Sequence, residues 1–395
     1  MQGSKTILVI GTGTIGYELI RRLAWAANYS DHPYFDWKEI IFHKNQPLQA
    51  NLPRIKRLLQ QGDAVAKISL AVDADKRKEF EALGYTPTYT LDEALGKADL
   101  VFDATGKGLA NKHHYLQYQD KVFVGQGSDF KKDKKFGLLL VGGINDNQVH
   151  FQLLQGERFF VVGSCNAHML GRGMRVISSV FGSPFGGDIS VEATILRRSD
   201  DLNKRMIATS FSFSAPDPKY LREGTYHAHN VIEAFNSIGI GDLDFRTKSG
   251  KLMDPYMHVV FWRVEVTRVD WADKWFDDTF ENTFREQLVN DPWCSLTWEN
   301  YANVVFTDLR HRQGPKAIRW LEPDRGFMQA VFYLPSLQVI KKKKRIVVEF
   351  QTFTPQDANV IWSNLEMAAM VRVRENFDPK VFLELTRPML EPKEI

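Results

Sequence analysis

Residues 6–16 read Thr-Ile-Leu-Val-Ile-Gly-Thr-Gly-Thr-Ile-Gly, an apolar run of strand length followed at once by the spacing Gly-x-Gly-x-x-Gly. In such a turn the first glycine allows a tight bend and the second lets the backbone approach a pyrophosphate. The third lets the next helix pack on the strand. Amides at the helix start then face the anion. The stretch predicts a dinucleotide-binding turn whose cofactor contacts come from Gly11, Gly13, Thr14, Ile15 and Gly16.

The order of strand-like and helix-like segments extends this prediction along the chain. Residues 1–164 alternate short apolar runs with helical segments, which is typical of a parallel sheet, so we expect an N-terminal Rossmann domain there. From Ile189 the strands are longer and largely alternate apolar with polar residues, which favours a sheet covered on one face. We therefore predict an α/β fold with an α+β catalytic domain over residues 165–350, built on a mixed or antiparallel sheet.

Composition excludes several classes of protein. The 395 residues are 44% hydrophobic and 25% charged with a formal charge of +3, which gives no reason to expect a nucleic-acid partner. No apolar stretch is long enough to span a bilayer, so no membrane partner is expected. The two cysteines lack zinc-type spacing, which predicts no metal and a reducing compartment, the cytoplasm. The 27 phenylalanines and 9 tryptophans favour a thick core or a subunit interface.

The end of the second predicted strand bears on the choice between NAD and NADP. An acidic residue there would bind the ribose 2′-hydroxyl of NAD. This chain instead has Phe42-His43-Lys44-Asn45. The lysine predicts that NADP is tolerated or preferred, with His43 and Asn45 as further hydrogen-bond partners. The alternative is that Lys44 only points into solvent.

Cys165 stands where an apolar strand, residues 159–162, meets a helix-like segment with a Gly-Ser turn between them. Unpaired amides and the macrodipole at a helix start stabilise a thiolate, so we predict that Cys165 is a nucleophile. Asn166 and neighbouring amides are the candidates for an oxyanion site. Cys294 has no such setting and is expected in the core.

A nucleophilic cysteine needs a base, usually a histidine. His227 and His229 precede a helix-like run in what we predict to be a loop, and His168 lies close to Cys165 in sequence. Arg197 and Arg198 close a predicted strand and could clamp a substrate anion through forked donors. The alternative for this pair is an exposed strand end.

Seven segments in fixed order resemble the archaeal-type glyceraldehyde-3-phosphate dehydrogenases: residues 11–16, 101–105, 126–127, 164–166, 196–200, 256–258 and 351–353. The resemblance implies that Thr105, Gln126 and Gly127 join the cofactor site and that Lys44 faces the 2′-phosphate of NADP. It places His227 on the catalytic base and Arg197 and Arg198 on the phosphate-recognising pair. It also implies that a helix in residues 351–395 returns to the first domain.

The implied reaction is the NAD- or NADP-dependent oxidation of a small anionic aldehyde through a cysteine thiohemiacetal and thioester, or the reverse reaction of an acyl phosphate. The enzyme is expected to be a homo-oligomer, a dimer or tetramer. After Ser-Cys-Asn the family has two threonines and a glycine, whereas this chain has Ala167, His168 and Met169. Three possibilities therefore stay open: the family's own substrate, a related biosynthetic aldehyde or acyl phosphate, and a non-catalytic dinucleotide-binding descendant. His229 stays a rival base to His227.

Overall fold

The computed structural model describes residues 5–29, 31–60, 66–181, 188–198, 212–213, 215, 217–251, 257–267, 279–298, 330–342, 345–355 and 358–390. Within these ranges the chain forms two β-sheets with helices packed against them. This confirms the predicted fold class, an α/β chain with a Rossmann-like parallel sheet and a second, mixed sheet. None of the described helices combines the length and the apolar character that a membrane crossing requires.

The first sheet has eight strands, and all of its strand pairs are parallel. The strands are β1 (Thr6–Ile10), β2 (Glu39–His43), β3 (Lys67–Val72), β4 (Tyr89–Thr90), β5 (Leu100–Asp103), β6 (Val122–Gln126), β7 (Leu138–Leu140) and β8 (Phe159–Val162). Their order is β4-β3-β2-β1-β5-β6-β8-β7. Because the chain leaves β1 for β2 on one side and returns to β5 on the other, a crevice opens at the carboxyl ends of β1 and β5, where such sheets bind ligands.

Six helices accompany this sheet: α1 (Thr14–Tyr29), α2 (Leu52–Leu59), α3 (Arg77–Ala82), α4 (Leu91–Lys97), α5 (Gly108–Tyr115) and α6 (Asp146–Leu154). All residues of β1, β2, β5, β6 and β8 are buried. Strands covered on both faces read as continuous apolar runs, which is why these segments were recognisable in the sequence.

The second sheet mixes parallel and antiparallel pairs. Its strands are β9 (Ile189–Arg197), β10 (Ser212–Phe213), β11 (Asp244–Lys251), β12 (Met257–Val266), β13 (Cys294–Thr297), β14 (Ala330–Lys342) and β15 (Arg345–Pro355). They are ordered β10-β11-β9-β12-β15-β14-β13, and only the pairs β11–β9 and β13–β14 are parallel. Of the basic run 341–345, Lys341 and Lys342 end β14 and Arg345 begins β15, while residues 343–344 lie outside the described residues.

One face of the second sheet packs against three helices, α7 (Cys165–Phe181), α8 (Tyr226–Asn236) and α9 (Thr279–Asn290). Trp262 is buried at the centre of this core, with its ring stacked between Phe245 and Phe350 at 6.2 and 5.5 Å. On the other face, Glu192 and Phe261 are exposed, and Phe261 keeps 41% of its accessible surface. The alternation of buried and exposed residues along β9 and β12 therefore reflects a sheet covered on one side.

The helix α10 (Ala358–Val373) crosses back to the first sheet and is followed by α11 (Pro379–Leu390). Asn364 of α10 exchanges hydrogen bonds with Gln126 at the end of β6, at 3.0 and 3.3 Å. Arg372 reaches the Asp36 carboxylate at 2.9 Å. Residues near the chain's two ends thus share one core. The domain boundaries at residues 164 and 350 remain predictions.

One sequence expectation needs correction. The segment around His227 and His229 is not a loop, because α8 begins at Tyr226 behind a Thr225 N-cap. Between α1 and β2, Tyr34 and Phe35 are buried against the C-terminal helices. Most of the tryptophan-rich stretch 270–323 lies outside the described residues, as do Tyr256 and residues 199–200.

Candidate active site

The glycine turn joins β1 to α1 at the carboxyl edge of the first sheet. Gly11 has a φ of +93°, a conformation that L side chains rarely adopt. A Cβ on Gly16 would lie 1.9 Å from the Gly11 carbonyl oxygen, so glycine is needed for α1 to pack on the turn. Beside Gly13 a Cβ would meet nothing within 4 Å, and this open space adjoins the start of α1, where Thr14 and Ile15 lie. A pyrophosphate fits such a cradle.

Thr105 follows β5 and faces the glycine turn, because a Cβ on Gly11 would touch its methyl carbon at 3.0 Å. Its hydroxyl donates to the Asp103 carboxylate at 2.5 Å. Asp103 is buried and also accepts from Tyr115 and Asn111 at 2.7 and 2.8 Å. These bonds fix the turn on the other side of the crevice.

The end of β2 presents one cation that was predicted and one that was not. Lys44 is partly buried, and its pKa is lowered by burial and by the nearby positive charge of Arg54. Arg54 belongs to α2 and lies over the Tyr17 ring, 5.3 Å from its centroid. His43 was predicted as a further hydrogen-bond partner beside Lys44, but its side chain is not available for that role. It is buried, and its Nε2 contacts the Asp73 carboxylate at 2.9 Å. Two neighbouring cations and no carboxylate at the strand end suit a 2′-phosphate better than a free ribose diol.

Cys165 is the first residue of α7 and is 9% exposed. Its Sγ lies 3.3 Å from Nε2 of His258, in the second position of β12. Nδ1 of His258 accepts the backbone N–H of Arg198 at 3.3 Å. Because Nδ1 is an acceptor, the neutral ring carries its proton on Nε2 and donates it toward the sulfur. The helix start and this donor together favour the thiolate.

His227 lies on α8 next to the same turn. Its Nδ1 is 3.0 Å from the Ser164 hydroxyl, the residue before Cys165. Its Nε2 is buried and has no hydrogen-bond partner among the described residues. The pKa of His227 is held well below its usual value by burial, and further by the charges of Arg197 and His258. A neutral imidazole with a free ring nitrogen is a competent proton acceptor.

The two arginines at the end of β9 have different surroundings. Arg197 is partly buried and close enough to influence the pKa values of His227 and Tyr226. Arg198 is 4% exposed, so it is not an exposed strand end, and its backbone N–H holds His258. Both are therefore placed beside the cysteine-histidine cluster, while their role as an anion clamp remains a prediction.

Two other predicted histidines are placed elsewhere. Nδ1 of His229 lies 3.6 Å from Glu223, and its ring packs against Tyr220 at 5.5 Å. His168 is fully buried one turn into α7, where its Nε2 contacts the Ser363 hydroxyl at 2.8 Å. In each of these histidines, one ring nitrogen thus contacts a group other than Cys165.

The remaining predicted residues lie around the turn that carries Ser164 and Cys165. Asn166 is 3% exposed, and its side-chain oxygen has no hydrogen-bond partner in the described part of the chain. A Cβ on Gly127 would lie 2.6 Å from the backbone nitrogen of Ser164, so glycine lets the two loops approach closely. Gln126 uses its amide to hold Asn364 of α10. Among the described residues no cluster of three or more histidine, cysteine, aspartate or glutamate side chains could hold a metal.

Sequence reasoning missed the contact between His258 and Cys165, as well as Arg54 and Tyr226. His258 lies 93 residues beyond Cys165 and at a strand start, so no local pattern connects them. The only signal was the resemblance of residues 256–258 to the family. Arg54 is one of several basic residues in α2, and nothing in its spacing singles it out.

A comparison with models of known protein families gives no match for this chain. Curated archaeal proteins do match. The chain is 25% identical over 234 residues to a glyceraldehyde-3-phosphate dehydrogenase of Thermoplasma volcanium, covering 59% of this chain and 57% of that protein. It is 27% identical over 263 residues to the enzyme of that name from Hyperthermus butylicus, covering 65% and 69%. For the Saccharolobus solfataricus protein the identity is 27% over 249 residues, covering 62% and 66%.

The matched part of this chain thus spans about 57% of the length of the Thermoplasma protein. The Rossmann-like parallel sheet agrees with this similarity. The chain is a divergent relative of the archaeal-type glyceraldehyde-3-phosphate dehydrogenases.

Proposed function

We propose that the protein is an NAD(P)-dependent oxidoreductase that acts on an aldehyde, or in reverse on an acyl phosphate, through covalent attachment to Cys165. The observation that carries this proposal is the 3.3 Å contact between the Cys165 sulfur and His258 at the start of α7. The names of the archaeal relatives support dehydrogenase chemistry.

The chemistry begins with the thiolate. Cys165 attacks the aldehyde carbon and forms a thiohemiacetal, while Nε2–H of His258 stabilises the sulfur before attack. Loss of the hydroxyl proton with a hydride then leaves a thioester on Cys165. His227 is positioned to accept that proton at Nε2, because this atom is buried and unpartnered within the described structure. Asn166 and the first amides of α7 are the candidates to stabilise the oxyanion.

When bound, a nicotinamide dinucleotide supplies the two-electron hydride acceptor or donor. In this proposal Gly11, Gly13 and the start of α1, including Thr14, hold its pyrophosphate. Lys44 and Arg54 bind a 2′-phosphate, which favours NADP over NAD.

The acyl acceptor is not fixed by these residues. The family's two threonines after Ser-Cys-Asn are replaced by Ala167 and His168, which are both fully buried. They offer no hydroxyl to a second phosphate, so water or another nucleophile is a competent acceptor here. Arg197 and Arg198 are proposed to hold the substrate's anionic group. We further propose a cytoplasmic location and a homo-oligomeric enzyme, as expected from the sequence.

A panel of aldehydes and acyl phosphates tests the function by nicotinamide absorbance, with and without inorganic phosphate. We expect turnover with at least one anionic aldehyde and its loss in Cys165→Ser, while Cys294→Ser remains active. Iodoacetamide near neutral pH should label Cys165 before Cys294. Retained turnover in Cys165→Ser would overturn the proposal, and cofactor binding without any turnover or selective labelling would favour a non-catalytic descendant.

A further inference from the structure

Ser164 is the residue before Cys165, and the reaction described above makes no use of its hydroxyl. Its Oγ accepts the backbone N–H of Ala167 at 3.2 Å, the bond by which N-cap side chains hold the start of a helix. The same oxygen lies 3.0 Å from Nδ1 of His227 on α8. One hydroxyl thus contacts both the helix of the candidate nucleophile and the histidine proposed as the base.

The main chain of Ser164 is held by two neighbours. Its carbonyl accepts the backbone N–H and the Nδ1–H of His168, both at 3.0 Å. A Cβ on Gly127 would lie 2.8 Å from both Cα and Cβ of Ser164, so the loop after β6 packs directly against this residue. The hydroxyl of Ser164 therefore projects from a firmly held backbone, from which it can orient His227.

Tyr226 is a further partner of the Ser164 hydroxyl. Its ring centroid lies 3.8 Å from that of His227. Burial raises the pKa of Tyr226, and a side-chain hydrogen bond with Ser164 partly opposes this rise. The phenol is therefore protonated near neutral pH, and it shares the Ser164 hydroxyl with His227.

The protons of these three side chains allow two arrangements. A serine hydroxyl has one proton and two lone pairs, and the Ala167 N–H occupies one lone pair. If Nδ1–H of His227 donates to the other lone pair, the hydroxyl proton is left for the Tyr226 oxygen, and Nε2 of His227 carries no proton. If Ser164 instead donates to Nδ1, the neutral ring carries its proton on Nε2.

The first arrangement fits the surroundings of Nε2 better. This atom is buried and has no hydrogen-bond partner among the described residues. A proton on it would be a buried N–H without an acceptor, which is rare in folded proteins. Once Nε2 has accepted a proton, both ring nitrogens are donors, and Ser164 already accepts the bond from Nδ1 in this arrangement. The base can therefore become charged without any reorientation of its partner.

We propose that Ser164 is a positioning residue that accepts Nδ1–H of His227, while Tyr226 accepts the Ser164 hydroxyl proton, so that Nε2 of His227 is kept as the base. The inference rests on the proposed function and adds the groups that set the tautomer of its base. It gives Ser164 two tasks, capping the helix of the cysteine and orienting the histidine.

The tautomer of His227 tests the proposal directly. In long-range ¹H–¹⁵N NMR spectra of the full chain labelled with ¹⁵N-histidine, protonated and bare ring nitrogens have well-separated shifts, and His227→Asn identifies the signals of this ring. Above neutral pH we expect a protonated Nδ1 and a bare Nε2 in the unaltered protein. Ser164→Ala should move the ring to the Nε2–H form, which the free histidine side chain favours, and Tyr226→Phe should move it in the same direction.

A protonated Nε2 in the unaltered protein, or an unchanged Nδ1–H form in Ser164→Ala, would overturn the proposal. An unchanged form in Tyr226→Phe alone would overturn the part assigned to Tyr226. Ser164→Thr keeps a hydroxyl and should keep the Nδ1–H form.

Thr225→Ala is the matched control for the loss of a helix cap. The Thr225 hydroxyl accepts the backbone N–H of Ala228 at 3.5 Å in the first turn of α8, and it contacts the Thr247 hydroxyl at 2.6 Å. Its loss should destabilise the helix that carries His227 without changing the tautomer. A change as large as that in Ser164→Ala would mean that lost capping is sufficient, and the proposal would fail.

Turnover separates this inference from the proposed function. With an oxidised aldehyde as substrate, Ser164→Ala should lower kcat about ten- to a hundredfold at nearly unchanged KM, less than the loss of the base itself, and Ser164→Thr should restore most of it. If the tautomers are as expected but no aldehyde is oxidised, the catalytic proposal alone fails. If turnover requires His227 but its Nε2 is protonated in the unaltered protein, this inference alone fails.

Discussion

The candidate site depends on how two imidazole rings are held. His258 faces the sulfur of Cys165 with Nε2, and its other nitrogen is engaged by the Arg198 amide. His227 faces Ser164 with Nδ1 and keeps Nε2 without a partner in the described structure. One ring is thus oriented to donate a proton to the thiolate, and the other is free to accept one.

This division of roles predicts different effects of two substitutions. His258→Ala removes the donor to the sulfur, so the pH midpoint of Cys165 alkylation by iodoacetamide should rise by about one unit, corresponding to a hydrogen bond of about 1.4 kcal/mol. His227→Asn should leave that midpoint nearly unchanged and reduce kcat by about a hundred- to ten-thousandfold, as expected for a lost general base. A shifted midpoint in His227→Asn alone would exchange the two roles.

His168 allows a prediction about pH and stability. Its Nδ1–H donates to the Ser164 carbonyl at 3.0 Å, and its Nε2 accepts from Ser363 and the Gly142 amide. Burial and the charge of Arg172 lower its pKa to about 3. The unfolded chain, with a histidine pKa near 6.5, therefore binds a proton that the folded protein rejects between pH 6.5 and about 3.

The contribution of His168 to the free energy of unfolding is thus present above pH 6.5. It is lost as the pH falls through this window. Its share of the loss is about 2 kcal/mol between pH 7 and pH 5. Asp146 acts in the opposite sense, because burial raises its pKa to about 6. The contribution of His168 is therefore measured by comparing how much stability each variant loses between pH 7 and pH 5. Urea titrations of His168→Gln should show about 2 kcal/mol less loss than the unaltered protein, whereas the exposed-site control His113→Gln should follow the unaltered protein.

At the scale of elements, α2 contributes a residue to the proposed cofactor site. Arg54 lies near Lys44 at the end of β2, where a dinucleotide's ribose would lie in a Rossmann fold. The helix packs Ile55 and Leu58 inward, and Arg54 is close enough to Lys44 to lower its pKa.

Each of these cations should contribute to NADP binding. Lys44→Ala and Arg54→Ala are expected to weaken NADP about tenfold each, since a charge-assisted bond contributes about 1.5–3 kcal/mol, reduced by solvent exposure. NAD should be affected less than twofold. Arg57→Ala, on an exposed position of the same helix, is the control. Dissociation constants measured by calorimetry test this prediction. Tighter binding of NAD than of NADP by the unaltered protein would contradict it.

Sequence patterns predicted elements better than contacts between them. The glycine turn and the strand before Cys165 were recognisable because steric limits and burial act locally. The start of α8 was missed although Thr225, a residue type favoured at N-caps, marks it. His258 could not be found by spacing, because the pairing of β12 with β9 brings it beside Cys165 from a distant part of the chain.

At the scale of the whole molecule, the pair Gln126–Asn364 joins the first sheet to α10 across 238 residues of sequence. Both side chains are buried, and Asn364 also donates to the Val360 carbonyl at 2.7 Å. Such a pair is costly to break from one side, because the remaining amide is left unsatisfied.

A double-mutant cycle should reveal this coupling. Asn364→Leu and Gln126→Leu should each destabilise the protein by about 1–3 kcal/mol in urea titrations, and the double variant by less than the sum of the two. Strict additivity would mean that the two amides do not interact. Retained activity in the double variant would separate the stabilising role of the pair from any cofactor contact of Gln126.

The return of α10 has a consequence for synthesis. Residues 6–162 are translated before residues 358–373, yet Ile361, Trp362 and Leu365 belong to the same core as Leu19 and Leu23 of α1. A nascent chain therefore leaves the part of the first core that α10 covers exposed until that helix has been translated. The core between α1 and α10 can therefore form only after residues 358–373 have been translated, and until then its apolar residues are open to aggregation.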